Sequence, residues 1–207
     1  MPTVTNISQQ QRRKDRFSVY LDGSYRLSLA QNQLVDAGLR VGDELTEARI
    51  NELAKQSEVG KALDRAYNYL SFRSRSRQEM VRYFRRKQYD DELTEFLVAQ
   101  LEEQALVDDA RFARDWVEAR QQSSPRSVIQ LRAELREKGI AADTIADVLD
   151  SQTAVTETAT IIALIEQKRL WQRYPDKQKL IRYLAGKGFG FTVIQDALEQ
   201  LIDTEVT

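Results

Sequence analysis

One spacing of apolar residues occurs three times in this chain of 207 residues, and that recurrence limits its fold more than any other feature. Met80, Val81, Phe84, Lys87, Tyr89, Leu97 and Val98 return 51 positions later as Leu131, Leu135, Lys138, Ile140, Val148 and Leu149, with Arg132 in the place of Val81. After a further 49 positions the frame gives Leu180, Ile181, Leu184, Lys187, Phe189, Ala197 and Leu198. Such a period argues a helical array in which each copy buries its apolar face against its neighbours. Each copy holds a helix with apolar residues at i and i+4, a break at Lys-Gly-apolar, and a second helix. Gly139 and Gly188 stand where a left-handed C-terminal cap is expected. The first copy has Gln88 there, which predicts a looser helix end. A third helix lies upstream in each unit, carried by Leu63, Ala66, Tyr67 and Leu70, then Phe112, Trp116 and Ala119, then Ile161, Leu164 and Ile165, so that nine helices result. Ser76-Arg77-Gln78-Glu79 and Ser127-Val128-Ile129-Gln130 read as capping boxes, and Pro125 suits a first turn after Ser124.

The first 57 residues follow a different rhythm. Phe17, Val19 and Leu21 alternate like a strand, and Tyr25, Leu27 and Leu29 do the same beyond Asp22-Gly23, which makes a hairpin. A three-residue loop through Ser24 pairs Leu21 with Tyr25, Val19 with Leu27 and Phe17 with Leu29, and is favoured over a two-residue turn. Val4 and Ile7 suit an edge strand, and Val41 suits another small one. Leu34 and Val35 fit a short helix ended by Gly38, and Thr46 caps a helix carrying Ile50 and Leu53. The expected fold is mainly α: a small N-terminal α/β module with a β-hairpin over residues 1–57, then three-helix repeats over 58–105, 106–152 and 153–207.

With neither Cys nor His, the chain has no disulfide, thiolate nucleophile, Cys/His zinc site or imidazole shuttle. Asp90-Asp91 and Asp108-Asp109 could bind magnesium, but at helix starts they cap backbone N–H groups. Gly186-Lys187-Gly188-Phe189-Gly190 lacks the earlier glycine and following Ser/Thr of a phosphate loop, and no Ser is followed three residues later by Lys. No catalytic residue, metal site or cofactor is therefore assigned. The N-terminus has no apolar leader, and no stretch approaches the roughly 20 apolar residues of a membrane span, so a cytoplasmic protein is expected.

The 31 Lys and Arg nearly cancel the 32 Asp and Glu, so any polyanion-binding role must be regional. Between Lys61 and Asp90 nine cations face three acids, whereas between Asp91 and Glu118 nine acids face two arginines. On the helix starting at Ser76, Met80, Val81 and Phe84 turn inward and leave Arg82, Arg85 and Arg86 as a basic ridge. The ridge reads either as a solvated face neutralised by its acidic neighbour or as a surface that grips phosphates or carboxylates. Tyr67, Tyr69, Phe72, Tyr83 and Tyr89 interleave with it; base stacking is one use for them, while the core spacing of Tyr67 and Tyr89 favours packing, as it does for Trp116 and Trp171.

These residues resemble the RecX family of bacterial recombination regulators. The likeness rests on Ala62-Leu63-Asp64-Arg65-Ala66 with Tyr69-Leu70-Ser71, on Arg73-Ser74-Arg75-Ser76-Arg77-Gln78-Glu79-Met80, and on Leu106-Val107-Asp108-Asp109 running into Arg111-Phe112-Ala113. Pro125-Arg126 and the run from Leu131 to Ile140 continue it, and Val19-Tyr20-Leu21-Asp22-Gly23 and the run from Leu39 to Leu45 extend it to the N-terminus. Gln88 and Ser127 stand where family members usually carry glycine. The resemblance implies three tandem three-helix units in an elongated, curved body that binds RecA, chiefly as its filament on single-stranded DNA. It further implies suppression of ATPase, strand-exchange and coprotease activity in recombination and the SOS response, by lodging in the filament groove and limiting growth. The residues assigned to contact RecA or DNA are Arg73, Arg75, Arg77, Arg82, Arg85, Arg86, Lys87, Arg126, Arg132 and Arg136. A monomer is expected. A helical array that binds DNA directly through the arginine face is the alternative, and a magnesium-dependent nuclease using the acidic pairs a third possibility.

Overall fold

The computed structural model describes residues 1–150 and 154–205, so the expected boundary at 152/153 lies outside the described residues. Strands β1 (Val4–Gln9), β2 (Arg16–Leu21) and β3 (Ser24–Ala30) precede eleven described helices: α1 (Gln31–Ala37), α2 (Glu47–Leu70), α3 (Arg77–Arg86), α4 (Asp91–Glu103), α5 (Asp109–Ser123), α6 (Val128–Glu137), α7 (Ala142–Asp150), α8 (Ala154–Gln167), α9 (Leu170–Arg173), α10 (Lys177–Gly186) and α11 (Phe191–Glu205). Met1–Arg73 with Phe84–Gln100 form one compact unit, and Ser74–Tyr83 with Leu101–Thr207 a second.

In the first unit the sheet runs β1-β2-β3, antiparallel throughout. Phe17 faces Leu29 and Val19 faces Leu27, as expected, but the turn is the two-residue Asp22-Gly23 with Leu21 opposite Ser24. Both turn residues have positive φ, 49° and 81°, the twist that suits a tight hairpin. The extra residue expected in the loop is instead Arg26, bulged on β3 opposite Val19 and Tyr20, which restores the register. Val41 belongs to no strand. It lies in a turn where the Gly42 N–H donates to the Val4 carbonyl and the Val4 N–H to the Asp43 carbonyl. Val4, Val19, Leu21, Leu27 and Leu29 pack with Leu45, Ile50 and Leu53. Thr46 caps α2 through the Arg49 N–H, and α2 runs unbroken to Leu70.

Three polar residues of the sheet, Arg16, Ser18 and Ser28, are buried as well. Arg16 is 1% exposed; its Nη1 donates to Asp64 Oδ2 at 2.8 Å and its Nη2 to the Ser28 carbonyl at 2.9 Å. Ser57 Oγ donates to the same carbonyl. A guanidinium taken out of water needs such partners, and they tie β2 and β3 to the middle of α2.

The threefold pattern is realised as packing. Met80, Phe84, Leu97 and Val98, then Leu131, Leu135 and Leu149, then Leu180, Leu184, Ala197 and Leu198 are all buried. The break between the second and third helix of each copy is one motif: the Tyr89, Ile140 and Phe189 N–H groups donate to the carbonyls of Phe84, Leu135 and Leu184. Gln88, Gly139 and Gly188 all adopt positive φ, at 65°, 81° and 86°. Gln88 therefore takes the left-handed cap conformation of the glycines at the position where it was expected. Tyr67 is exposed at 38%, and Ala119 is exposed too, so neither fills the core as the spacing suggested.

Within the second unit, successive copies meet at a repeated joint. Ser76 caps α3 by accepting from the Glu79 N–H, and its hydroxyl donates to the Lys138 carbonyl at 2.7 Å. Ser127 does the same on α6, accepting from the Gln130 N–H and donating to the Lys187 carbonyl at 2.7 Å. The first amide of each helix also has an acidic acceptor from the next copy: Arg77 N–H to Asp109 Oδ1, and Val128 N–H to Glu157 Oε1. Glu79 gives its carboxylate to Lys138 Nζ at 2.9 Å. A Cβ on Gly139 would stand 2.3 Å from Gln78, and one on Gly188 2.9 Å from Ser127 Oγ, so both glycines are needed for close approach as well as for φ.

Candidate partner-binding surface

The assigned cations fall into two groups by what they touch. Arg73, Arg82, Arg85, Arg86, Lys87 and Arg136 are exposed, whereas Arg75, Arg77, Arg126 and Arg132 are half-buried. On α3, Met80, Val81, Tyr83 and Phe84 are buried, which leaves Arg82 and Arg86, four apart, on the solvent side with Arg85 between them. Arg82 donates to Gln78 Oε1 at 2.8 Å, and Arg85 pairs with Asp91 at 3.0 Å. Both contacts are exposed and give way readily to a partner's anion. Arg77 is held by Glu102 at 3.2 Å.

Arg126 is engaged differently. Glu134 on α6 accepts hydrogen bonds from Arg120 Nε at 2.7 Å and Trp116 Nε1 at 2.8 Å, and lies 3.3 Å from Arg126 Nε as an ion pair whose geometry makes no hydrogen bond. The guanidinium of Arg120 and the ammonium of Lys138 lie 4.6 Å and 4.8 Å from the Trp116 ring centroid. Trp116 thus anchors a network of cations that neighbouring acids already serve, and Arg126 is a part of that network rather than of an open ridge. Sequence spacing did not reveal it, because Glu134 falls among the exposed-looking positions of its helix.

The acidic pairs cap helices. Asp90 Oδ1 accepts from the Leu93 N–H at α4, and Asp108 Oδ1 from the Arg111 N–H at α5. Among the described residues no group of three or more His, Cys, Asp or Glu is placed to hold a metal ion, and no described helix is long and apolar enough to cross a membrane. Burial pushes the Asp109 carboxyl above its ordinary value of 3.8; the Arg77 N–H and charge pull it down and Asp108 pushes it up further. The native protein then holds this proton more tightly than the unfolded chain. The stability from Asp109 is full below the ordinary value and is lost as pH rises through the native one. Denaturant titrations from pH 3.5 to 7 should show Asp109→Asn, which keeps an acceptor for the Arg77 N–H, gaining stability relative to the parent as pH rises. A constant difference would contradict this cause.

The architecture is that of a tandem three-helix-domain protein with a small N-terminal sheet. Family models match in four places: "Regulatory protein RecX N-terminal domain" over residues 2–46, and the first, second and third three-helix domains of RecX over 62–101, 108–149 and 157–198. The chain belongs to the RecX family. A protein of Bacillus subtilis (strain 168) named Regulatory protein RecX is 31% identical over 206 residues, covering 97% of this chain and 78% of that protein. One of Bacillus velezensis with the same name is 32% identical over 204 residues, with the same coverage. A crystal structure of regulatory protein RecX superposes with a TM-score of 0.79 at 28% identity, covering 96% of this chain and all of the other.

Proposed function

We propose that the protein binds RecA, chiefly as its filament on single-stranded DNA, and restrains the ATPase, strand-exchange and coprotease activities of that filament. Membership of a family whose relatives are named regulatory proteins supports a regulatory role. The observation that carries the mode of action is the exposed row Arg82, Arg85 and Arg86 on α3, where the Arg82–Gln78 and Arg85–Asp91 contacts are exposed and exchangeable. Guanidinium groups of this kind register against carboxylates or phosphates of a partner without any bond-making step. Titrating the protein into RecA on single-stranded DNA should lower ATP hydrolysis at substoichiometric amounts, and unchanged hydrolysis would refute the reading.

Arg82→Glu with Arg86→Glu should weaken RecA binding by about tenfold or more, on the order of 1.4 kcal/mol. Both side chains are exposed, so helix content by circular dichroism should not change. The same arginines also suit DNA phosphates. Direct DNA binding would persist without RecA and fall steeply with salt, whereas dependence on RecA at moderate salt favours the protein partner.

A further inference from the structure

The receiving side of each joint in the second unit is built from three positions and the apolar residue that closes the same cap. They are Asp109, Lys138, Gly139 and Ile140 in the first joint, and Glu157, Lys187, Gly188 and Phe189 in the second. The acid accepts the first amide of the incoming helix, the Lys carbonyl accepts its Ser hydroxyl, and the left-handed residue lets the helix tip close in. Fifty-one positions before the members of the first set stand Glu58, Lys87, Gln88 and Tyr89. These four line one open pocket of about 400 Å³, wholly inside the first unit. The cap bonds match, since the Gln88 N–H donates to the Arg85 carbonyl as the Gly139 N–H does to that of Arg136. The first copy thus carries the acid, the lysine carbonyl and the left-handed cap of a joint's receiving edge, with Gln88 in the glycine's place.

Two differences set this edge apart from the joints. At the places of Phe112 and Trp116, the pocket has Lys61 and Arg65, and Arg65 Nη1 donates to Tyr89 Oη at 2.8 Å. With Lys87 that makes three cations around the position where a helix would begin, against the single acid Glu58. In the first joint the residue equivalent to Lys87 is Lys138, which pairs with Glu79 at the third position of the docked helix. The other difference is Gln88, whose Cβ holds a helix tip further off than glycine does.

We propose that this pocket is a docking socket for the N-terminus of a helix on a partner protein, one with a Ser or Thr cap and an acidic first turn. The hydroxyl takes the Lys87 carbonyl, the first amide takes Glu58, and the first-turn carboxylates take Lys61, Arg65 and Lys87. Gln88 keeps the docking reversible, unlike the joints built into the chain. The proposal rests on the reading of the protein as a partner-binding regulator and supplies the chemistry of one contact; the assay below contains no RecA, so its failure leaves the ATPase titration to judge that reading.

The probe is a fluorescein-labelled, lactam-bridged helical peptide with Ser at the cap and Glu at the first three helical positions. It is titrated with the full chain and followed by anisotropy. Lys61→Glu with Lys87→Glu should weaken binding tenfold or more, a peptide with Ala at the cap should bind several-fold more weakly, and Gln88→Gly should tighten binding several-fold. The last is a gain that misfolding cannot mimic. Undetectable binding at millimolar peptide, or equal affinity for the parent and the Lys61→Glu, Lys87→Glu variant, would overturn the proposal. So would the outcome that a fluorescent oligo-dT, and not the peptide, loses affinity on that double reversal, which would make the pocket a phosphate site.

Discussion

Asp64→Ala should destabilise the first unit by about 3 kcal/mol, because it strips a buried guanidinium of its charged partner. Arg16 is 1% exposed and has no route to water, whereas the Asp64 side chain retains 20% exposure, so the cost arises almost wholly on the arginine side. Arg13, 3.4 Å from the same carboxylate, is 46% exposed and loses little. Replacing both members, Arg16→Met with Asp64→Leu, should recover much of the loss, since two apolar groups of similar size leave no orphaned charge. Denaturant unfolding followed by far-ultraviolet circular dichroism checks both; a loss below about 1 kcal/mol for Asp64→Ala would remove this pair as the link between sheet and helix.

Gly139→Ala is expected to loosen the joint between α3 and α6. The left-handed backbone alone costs Ala roughly 1–2 kcal/mol. In addition its Cβ would meet Gln78 atoms at 2.3–2.5 Å, so the start of α3 has to withdraw, and with it the Ser76 hydroxyl bond to Lys138. The combined loss is on the order of 2–4 kcal/mol. Gly38→Ala gives the comparison, because Gly38 has φ 63° with nothing within 4 Å of an added Cβ and should show the backbone cost alone. Equal losses at the two sites would mean that the joint tolerates the methyl group.

The array was legible in the sequence because helix packing repeats locally: Leu131 and Leu180 fall where Met80 falls, and all three are buried. The hairpin pairs Val19–Leu27 and Phe17–Leu29 were legible from alternation, while the turn was not, since a bulge and a longer loop shift register equally. Arg16 was missed because an arginine in a strand reads as solvated and its partner Asp64 lies 48 residues away. At Gln88 the left-handed backbone was legible from its place in the repeat, while the second use of glycine at that place, the close approach of a docked helix seen at Gly139 and Gly188, depends on tertiary neighbours. The arginine ridge was legible from charge and spacing, but the capture of Arg126 by Glu134 depends on tertiary neighbours that no local pattern encodes.

The helix-capping position of the third copy differs in chemistry from those of the first two. Where the first two copies have Ser76 and Ser127, this one has Asp176, which caps α10 by accepting from the Gln178 N–H. A carboxylate has no hydrogen to offer a neighbouring carbonyl, and two oxygens facing each other repel. The hydroxyl-to-carbonyl bond that Ser76 and Ser127 make therefore has no counterpart at the cap of α10, and a neighbour facing that cap would have to offer a donor in place of a carbonyl.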